Sequence, residues 1–413
     1  MQKEFILLII SLLIISCGKS PSRSEPDSNI ASEKEQKPDE KPSVKVYIEN
    51  SGSMDGYVKG VTEFEQAVYN YLIDIQIADF ADSIQLNYIN SKIISQPADI
   101  SSFIENLEPN IFQSRGGNRG ATDIAQILQL LLSEHNDSSV SVFVSDCIFS
   151  PGRGKNAEQY LINQQITIKS IVAEQLKKED MAIVIYQLTS QFSGYYYNHE
   201  DKATLISDRR PFYIWLLGKP EYLKDLYRKI PENKFKGSGV ENVFSITSVN
   251  QNAPYAVRLG SGDFKLDKLH SKNQIVNAQK STHRKNTGLF TFSVDADFSA
   301  FLLDENYWKD ARHYQLNDKD FQLSVAHSPK NSHGYSTALN LSSPIIKQSD
   351  LSIRLLMQIP AWVERMNDDS DLDIHTDGSM HKTFGIKYLI GGIYEAYTRE
   401  NDYYTELKIS INK

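Results

Sequence analysis

Apolar residues are spaced in two modes along the first part of the chain. Short, nearly continuous apolar runs at 44–48, 84–94, 140–144, 182–186 and 212–217 have the length of β-strands. Between them, apolar side chains recur at helical spacing. Phe64, Val68, Leu72 and Ile75 mark a helix over 62–77, and Ile124, Ile127, Leu128, Leu131 and Leu132 mark another from 124. Further helices are expected at 100–107, 157–178 and 221–228. Strands that alternate with helices, and strands with no polar face, predict a parallel sheet covered on both sides. Such sheets bind ligands at the carboxyl ends of their strands.

After about residue 240 the period changes. Runs at 243–249, 289–294, 321–325, 337–341 and 351–359 are rich in β-forming residues and separated by polar, Gly- or Pro-bearing stretches. They predict a β-rich, sandwich-like domain at 240–413. One helix interrupts it, since Phe384, Lys387, Tyr388, Ile390, Ile393, Tyr394 and Tyr397 fall at helical spacing. A last strand is expected at 404–411. A chain of 413 residues exceeds what one core usually organises, so two folded domains are expected, 44–232 and 240–413. The short link between them leaves room for one rigid unit.

The first residues carry a different pattern. Residues 5–15 are apolar apart from Ser11, too short for a membrane span and suited to a secretory signal. The stretch ends Ile14-Ile15-Ser16-Cys17-Gly18, which resembles the lipobox of bacterial lipoproteins. The resemblance implies a signal peptide over 1–17, acylation of Cys17, and a place in the bacterial cell envelope on a lipid anchor. Residues 18–43 are rich in Ser, Pro, Glu and Lys, with too little apolar surface to offset ordering entropy, and are expected to be a disordered tether. With Cys17 acylated, Cys147 is the remaining cysteine, so no disulfide forms within the mature chain. It follows a buried strand and has no histidine near it in sequence, which suits an inert core thiol. The formal charge of −8 argues against a duplex nucleic-acid partner.

Three stretches unite around one chemistry. Glu49-Asn50-Ser51-Gly52-Ser53-Met54 follows the first strand, Gly120-Ala121-Thr122-Asp123 opens a helix, and Val144-Ser145-Asp146 ends a buried strand. Three hydroxyls and two carboxylates on separate loops suit a hard divalent cation, which takes oxygen ligands. The alternative is that these Ser and Thr residues merely cap helices. The set resembles the metal-ion-dependent adhesion site (MIDAS) of von Willebrand factor A (vWA) domains, over roughly residues 44–230. That family places Asp-x-Ser-x-Ser after its first strand, a threonine in a second loop and an aspartate after its fourth strand. The resemblance implies a vWA-type, Rossmann-like, doubly wound and mostly parallel sheet. It also implies metal ligation by Glu49, Ser51, Ser53, Thr122 and Asp146, with Mg2+ (or Mn2+ or Ca2+) as the ion and a protein, or a glycan, as the partner. Two positions depart from the family. Glu49 replaces aspartate and carries its carboxylate about 1.5 Å further out, where it either touches the ion or crowds the site. Cys147 stands where glycine is usual.

Other features carry less. Pro151-Gly152-Arg153-Gly154-Lys155 lacks the phosphate-loop spacing. His375, Asp377 and His381 fit no strong zinc pattern, and Asp368 to Asp373 read as a solvated acidic turn. Tyr195, Tyr196 and Tyr197 read as a half-buried strand or loop, or else as a contact patch. No serine elbow, kinase set or dinucleotide fingerprint is present. The expected function is therefore binding, not catalysis. An envelope hydrolase is the alternative from another class, its raw material being the histidines at 270, 283, 313, 327, 333, 375 and 381. A metal-free assembly scaffold is the third reading.

Overall fold

Strand β1 (Ser43–Glu49) lies inside a seven-stranded sheet, between neighbours that match it in register and apolarity. It pairs in parallel with β2 (Ser83–Ile89) on one side and with β4 (Ser139–Ser145) on the other, Val46 lying opposite Leu86 and Val142. All seven residues of β4 are buried, as a strand covered on both faces requires. The computed structural model describes residues 40–97, 99–120, 123–248, 253–267, 273–329, 335–375 and 378–413. The expected signal segment with Cys17, most of the expected tether, Thr122, His270, His333 and Asp377 lie outside the described residues.

Helices α1 (Glu63–Ile77), α2 (Ile100–Glu105), α4 (Ile124–Ser133), α5 (Ala157–Leu176) and α6 (Pro220–Lys229) form where the apolar spacing places them, and a further short helix, α3 (Pro109–Ser114), lies between α2 and α4. Side chains that satisfy free amides set the starts of α1, α2, α4 and α5, while α3 and α6 open on a proline. The Thr62 hydroxyl accepts from Glu65 N, and Asn156 Oδ1 accepts from Gln159 N at 2.8 Å.

The sheet order is β3-β2-β1-β4-β6-β5-β7, and it corrects the expected topology in three places. The run at 84–94 is a hairpin, with β3 (Ile93–Gln96) folding back antiparallel on β2 through a turn at Asn90. The runs at 182–186 and 212–217 belong to one long antiparallel hairpin, β5 (Ala182–Tyr197) and β6 (Ala203–Gly218). Strand β6 enters between β4 and β5, so β4 meets an antiparallel neighbour. No helix-period segment separates the two runs, and a parallel connection needs one. The run near 243–249 is β7 (Asn242–Thr247), which pairs along β5 as the sheet's last strand, not as the first strand of a second domain. Strand-forming side chains do not disclose their partner. Four of the seven strands, β1, β2, β4 and β5, still run in one direction.

The later region is strand-rich and mainly antiparallel. Strands β8 (Tyr255–Val257), β11 (Phe290–Ala296), β13 (Gln322–His327) and β14 (Thr337–Ser343) form one sheet in the order β13-β14-β11-β8. Strands β9 (Lys265–Leu266), β10 (Gln274–Val276), β12 (Tyr314–Leu316), β15 (Ser349–Leu356) and β18 (Tyr403–Ile411) form another, in the order β12-β15-β18-β10-β9. A short parallel bridge joins β16 (Asn367–Asp368) to β17 (Thr383–Phe384). Helices α7 (Glu305–Lys309) and α8 (Ala361–Arg365) are single turns, and α9 (Ile386–Tyr397) is the expected C-terminal helix.

Helix α9 packs directly on α5. A methyl at Gly392 would fall 2.6 Å from Gln165 O and 3.0 Å from Ile168 Cβ, so the two backbones meet where Gly392 has no side chain. Lys169 Nζ donates to Glu395 across the same contact at 2.9 Å. The described residues belong to one compact unit with a continuous apolar core.

At the amino end of β4, His135 is buried. Its Nδ1 lies 3.3 Å from the hydroxyls of both Ser139 and Ser141, and its Nε2 lies 3.7 Å from Glu179. Burial, and then the charge of Lys45, push the imidazole down from 6.5 to about 4. The folded state thus holds it neutral. Above pH 6.5 neither state carries the proton. Between 6.5 and 4 the unfolded chain binds a proton that the folded chain refuses, so stability falls with pH. The shift corresponds to about 3 kcal/mol. Urea titrations between pH 7 and pH 4 are expected to show the native chain losing about that much more than H135N. Equal losses would remove His135 from the acid sensitivity.

Candidate metal centre

The carboxyl ends of β1 and β4 lie side by side. Ile48 is opposite Val144, and the Ser145 hydroxyl donates to Glu49 Oε2, so Glu49 and the Ser145-Asp146 turn share one rim. Glu49 is 1% exposed and Asp146 is 1% exposed, so both acids are withdrawn from bulk water. After β1 the chain turns through a short 3-10 segment, Gly52–Gly56, closed by Met54 N donating to Ser51 O at 3.2 Å. The Ser51 and Ser53 hydroxyls lie 3.0 Å apart.

This turn is held from two sides. Asn50 is fully buried and accepts from Asn90 Nδ2 at 2.7 Å. Arg119 donates from Nε to Asn50 O at 2.7 Å and from Nη2 to Ser51 O at 3.2 Å, and pairs with Asp55. In return, Gly52 N donates to Arg119 O at 3.0 Å. The loop carrying Arg119 reaches this position because Gly117 has φ +82°, and a methyl there would collide with Asn90 Oδ1. The loop that leads to Thr122 is therefore fastened to the Ser51 turn at Arg119. Asp123 has a separate duty, capping α4 by accepting from Ala125 N at 3.0 Å and Gln126 N at 3.2 Å.

The capping alternative fails for Ser51. It occupies the position before the 3-10 turn, yet its side chain makes no capping bond. Its hydroxyl is turned to Ser53 instead.

Asp146 is the least satisfied group of the rim. Its Oδ1 accepts from Ile148 N at 3.3 Å, but its buried Oδ2 has no hydrogen-bond partner among the described residues. Burial raises its affinity for a proton, while the Ser53 hydroxyl, the Ile148 amide and the Arg210 guanidinium pull the other way. A buried carboxylate oxygen left unpaired is costly, and such groups are rare in folded proteins. Cys147 takes φ +57°, the left-handed backbone that glycine adopts without strain. Its amide donates to Ser145 Oγ at 2.7 Å. Burial holds its thiol well above the ordinary range, in keeping with an inert core group.

Behind the rim stands a buried polar group that the sequence reading passed over. Arg210 on β6 is 1% exposed, donates to Met380 O at 3.0 Å and to Lys382 O at 3.4 Å, and lies 4.5 Å over the Tyr196 ring. Asp371, expected in a solvated acidic turn, is instead buried. It accepts from Tyr196 Oη, from His199 N at 3.0 Å and from His199 Nδ1 at 2.7 Å. His199 in turn stacks on Phe384 at 5.6 Å. Alternation along 192–197 was the available signal, because it sends Tyr196 inward and Tyr195 and Tyr197 outward.

Among the described residues the other histidines assemble no comparable site. His381 Nδ1 lies 3.1 Å from Arg209 O, His313 stacks on Tyr307 at 3.9 Å, and His327 lies on the surface 3.8 Å from Glu305. Among the described residues no three His, Cys, Asp or Glu side chains are placed to hold a metal ion together. A cation at the rim would need the hydroxyl oxygens as well. No helix among the described residues is long and apolar enough to cross a membrane.

Compared with known families, the chain matches no family model. No curated protein matches it either.

Proposed function

We propose that this protein is a lipid-anchored binding protein of the bacterial cell envelope, recognising a protein partner through a MIDAS-like divalent-metal site. In this reading the seven-stranded sheet and its helices are a vWA-type domain, and the later sheets are a sandwich-like domain. The anchor and the location rest on the resemblance around Cys17. The observation that carries the metal site is the buried Asp146 carboxylate facing the Ser53 hydroxyl, its Oδ2 lacking a partner of hydrogen-bond geometry among the described residues. The donor set fits Mg2+, or Mn2+ or Ca2+. Ser51, Ser53 and Thr122 would supply neutral oxygens, and Asp146 and Glu49 would supply charge. When bound, the ion would offer an open position to a carboxylate of the partner. Glu49 is oriented for this role by Ser145, whose hydroxyl it accepts.

The test is calorimetric titration of residues 37–413 with Mg2+ and Mn2+, paired with thermal denaturation. Saturable heat is expected. At a hundredfold excess of ion over the dissociation constant, stability should rise by about 2.7 kcal/mol. The double substitution S51A/S53A is expected to abolish both effects. A native chain that shows neither would remove the metal from the proposal. Arg210 favours the metal-free scaffold as the second reading, because its buried guanidinium already brings positive charge towards Asp146. Partner binding that survives S51A/S53A would favour that reading.

A further inference from the structure

The β5–β6 hairpin projects past the rest of the sheet, since β7 accompanies β5 only as far as Gln187 and β4 accompanies β6 only from Tyr213. Its two faces differ sharply. Phe192, Tyr196, Ile206 and Arg210 point inward and are buried. On the other face Tyr195 and Tyr197 are 54% and 45% exposed, and Leu205, directly opposite Tyr195, is 66% exposed. These three side chains share one face by strand alternation and pairing. The face adjoins the candidate metal centre. A methyl at Gly52, between Ser51 and Ser53, would lie 3.9 Å from Tyr197 Cε2.

The exposed face is also rigidly backed. Asp371 holds Tyr196 and His199 from behind, and Asn198 Nδ2 donates to Leu372 O at 3.3 Å. At the tip, Asn198 Oδ1 accepts from Glu200 N at 3.0 Å and Lys202 N at 2.9 Å, while Arg153 N donates to Asp201 at 3.3 Å. A buried polar network of this kind is a poor source of stability. Its effect here is to fix an apolar surface in water, which lowers the ordering cost of binding. Tyrosine is enriched in such contact surfaces.

We propose that Tyr195, Tyr197 and Leu205 form the second half of the docking surface, receiving an apolar side chain from a protein segment whose neighbouring carboxylate reaches the Ser51–Ser53 turn. The claim rests on the metal-site reading above. A protein segment suits the surface better than a sugar. The two tyrosine rings, 6.5 Å apart, are inclined by 45°, and an aliphatic side chain completes the face, so no flat platform for a pyranose ring is present.

The test uses the full chain in detergent, with a random peptide library displayed on phage as the probe and Mn2+ in the buffer. Selected peptides are expected to pair an acidic residue with an adjacent aromatic or aliphatic one. Binding of a synthetic selected peptide, followed by fluorescence anisotropy, should weaken at least tenfold in Y195S/Y197S/L205S, whose Mn2+ heat stays native. Replacing only the peptide's apolar residue by serine should cost the native chain the same factor and the variant nothing. Equal affinity of native and variant chains, or selected peptides without an apolar neighbour, would overturn the proposal. So would an oligosaccharide bound by the native chain and lost in the variant. Absence of Mn2+ heat in the native chain is a different failure, that of the metal reading, and it overturns this proposal with it.

Discussion

Replacing Gly392 by valine is expected to lower the stability of the chain by about 3 kcal/mol, read from the urea midpoint. The reason is the contact between α9 and α5. Even a single methyl at this position meets Gln165 O at 2.6 Å, and that atom is backbone, so a helix must move. Valine adds two more carbons and a stiff χ1. Helix propensity works in the opposite direction, because any side chain improves on glycine by up to about 1 kcal/mol in a helix interior. The collision is larger than the gain, so destabilisation wins. Gly391 supplies the control. A methyl there meets the end of the Gln165 side chain at 3.2 Å, and Gln165 need shift only by a few tenths of an ångström while its Nε2 keeps donating to Glu395. G391A is therefore expected to be neutral or slightly stabilising. Equal midpoints for G392V and the native chain would show that α5 and α9 do not meet as described.

A loss of about 3–5 kcal/mol is expected for R258A. Asp295, on β11, is fully buried, and Arg258 donates to it from Nε at 2.9 Å and also from Nη2. The Ser328 hydroxyl donates to the same carboxylate at 2.8 Å. Removing the guanidinium leaves a negative charge in the core with its main counter-charge gone. The pair itself is not a source of great stability, because taking both charges out of water costs roughly what their attraction returns. The double substitution R258M/D295L is accordingly expected to recover most of the loss. Urea denaturation of the two variants separates these terms, and an R258A chain as stable as the native one would refute the account.

The readable parts of this fold were those where one short stretch of sequence determines its own environment. The run at 140–144 carries Ser141 as its one polar residue, too little to make a solvated face, and it is the fully buried β4. The spacing of Ile124, Leu128 and Leu131 allows one buried helical face, and α4 uses it. Pairing was less readable, because Val243 and Phe244 would suit the edge of either sheet. The hairpin of β5 and β6 was hidden for a related reason. Its apolar runs at 182–186 and 212–217 look alike, while Gln191, Ser193, Ser207 and Asp208 between them make the projecting half resemble a loop. At the site, the Glu49 turn and the Ser145-Asp146 turn were readable because each follows a strand of β1–β4 character. The left-handed backbone of Cys147 was not, since that conformation is normally announced by glycine. Burial of Asp371 depends on Tyr196 and His199, far away in sequence, and nothing local records it.

The position of β7 bears on where the chain can be cut. Its six residues come from beyond α6, yet they cover the outer side of β5 along 182–187. A gene fragment ending before them would encode a sheet whose outer strand offers unpaired amides and carbonyls to any neighbouring chain. Such a fragment would also lack α9, baring the face of α5.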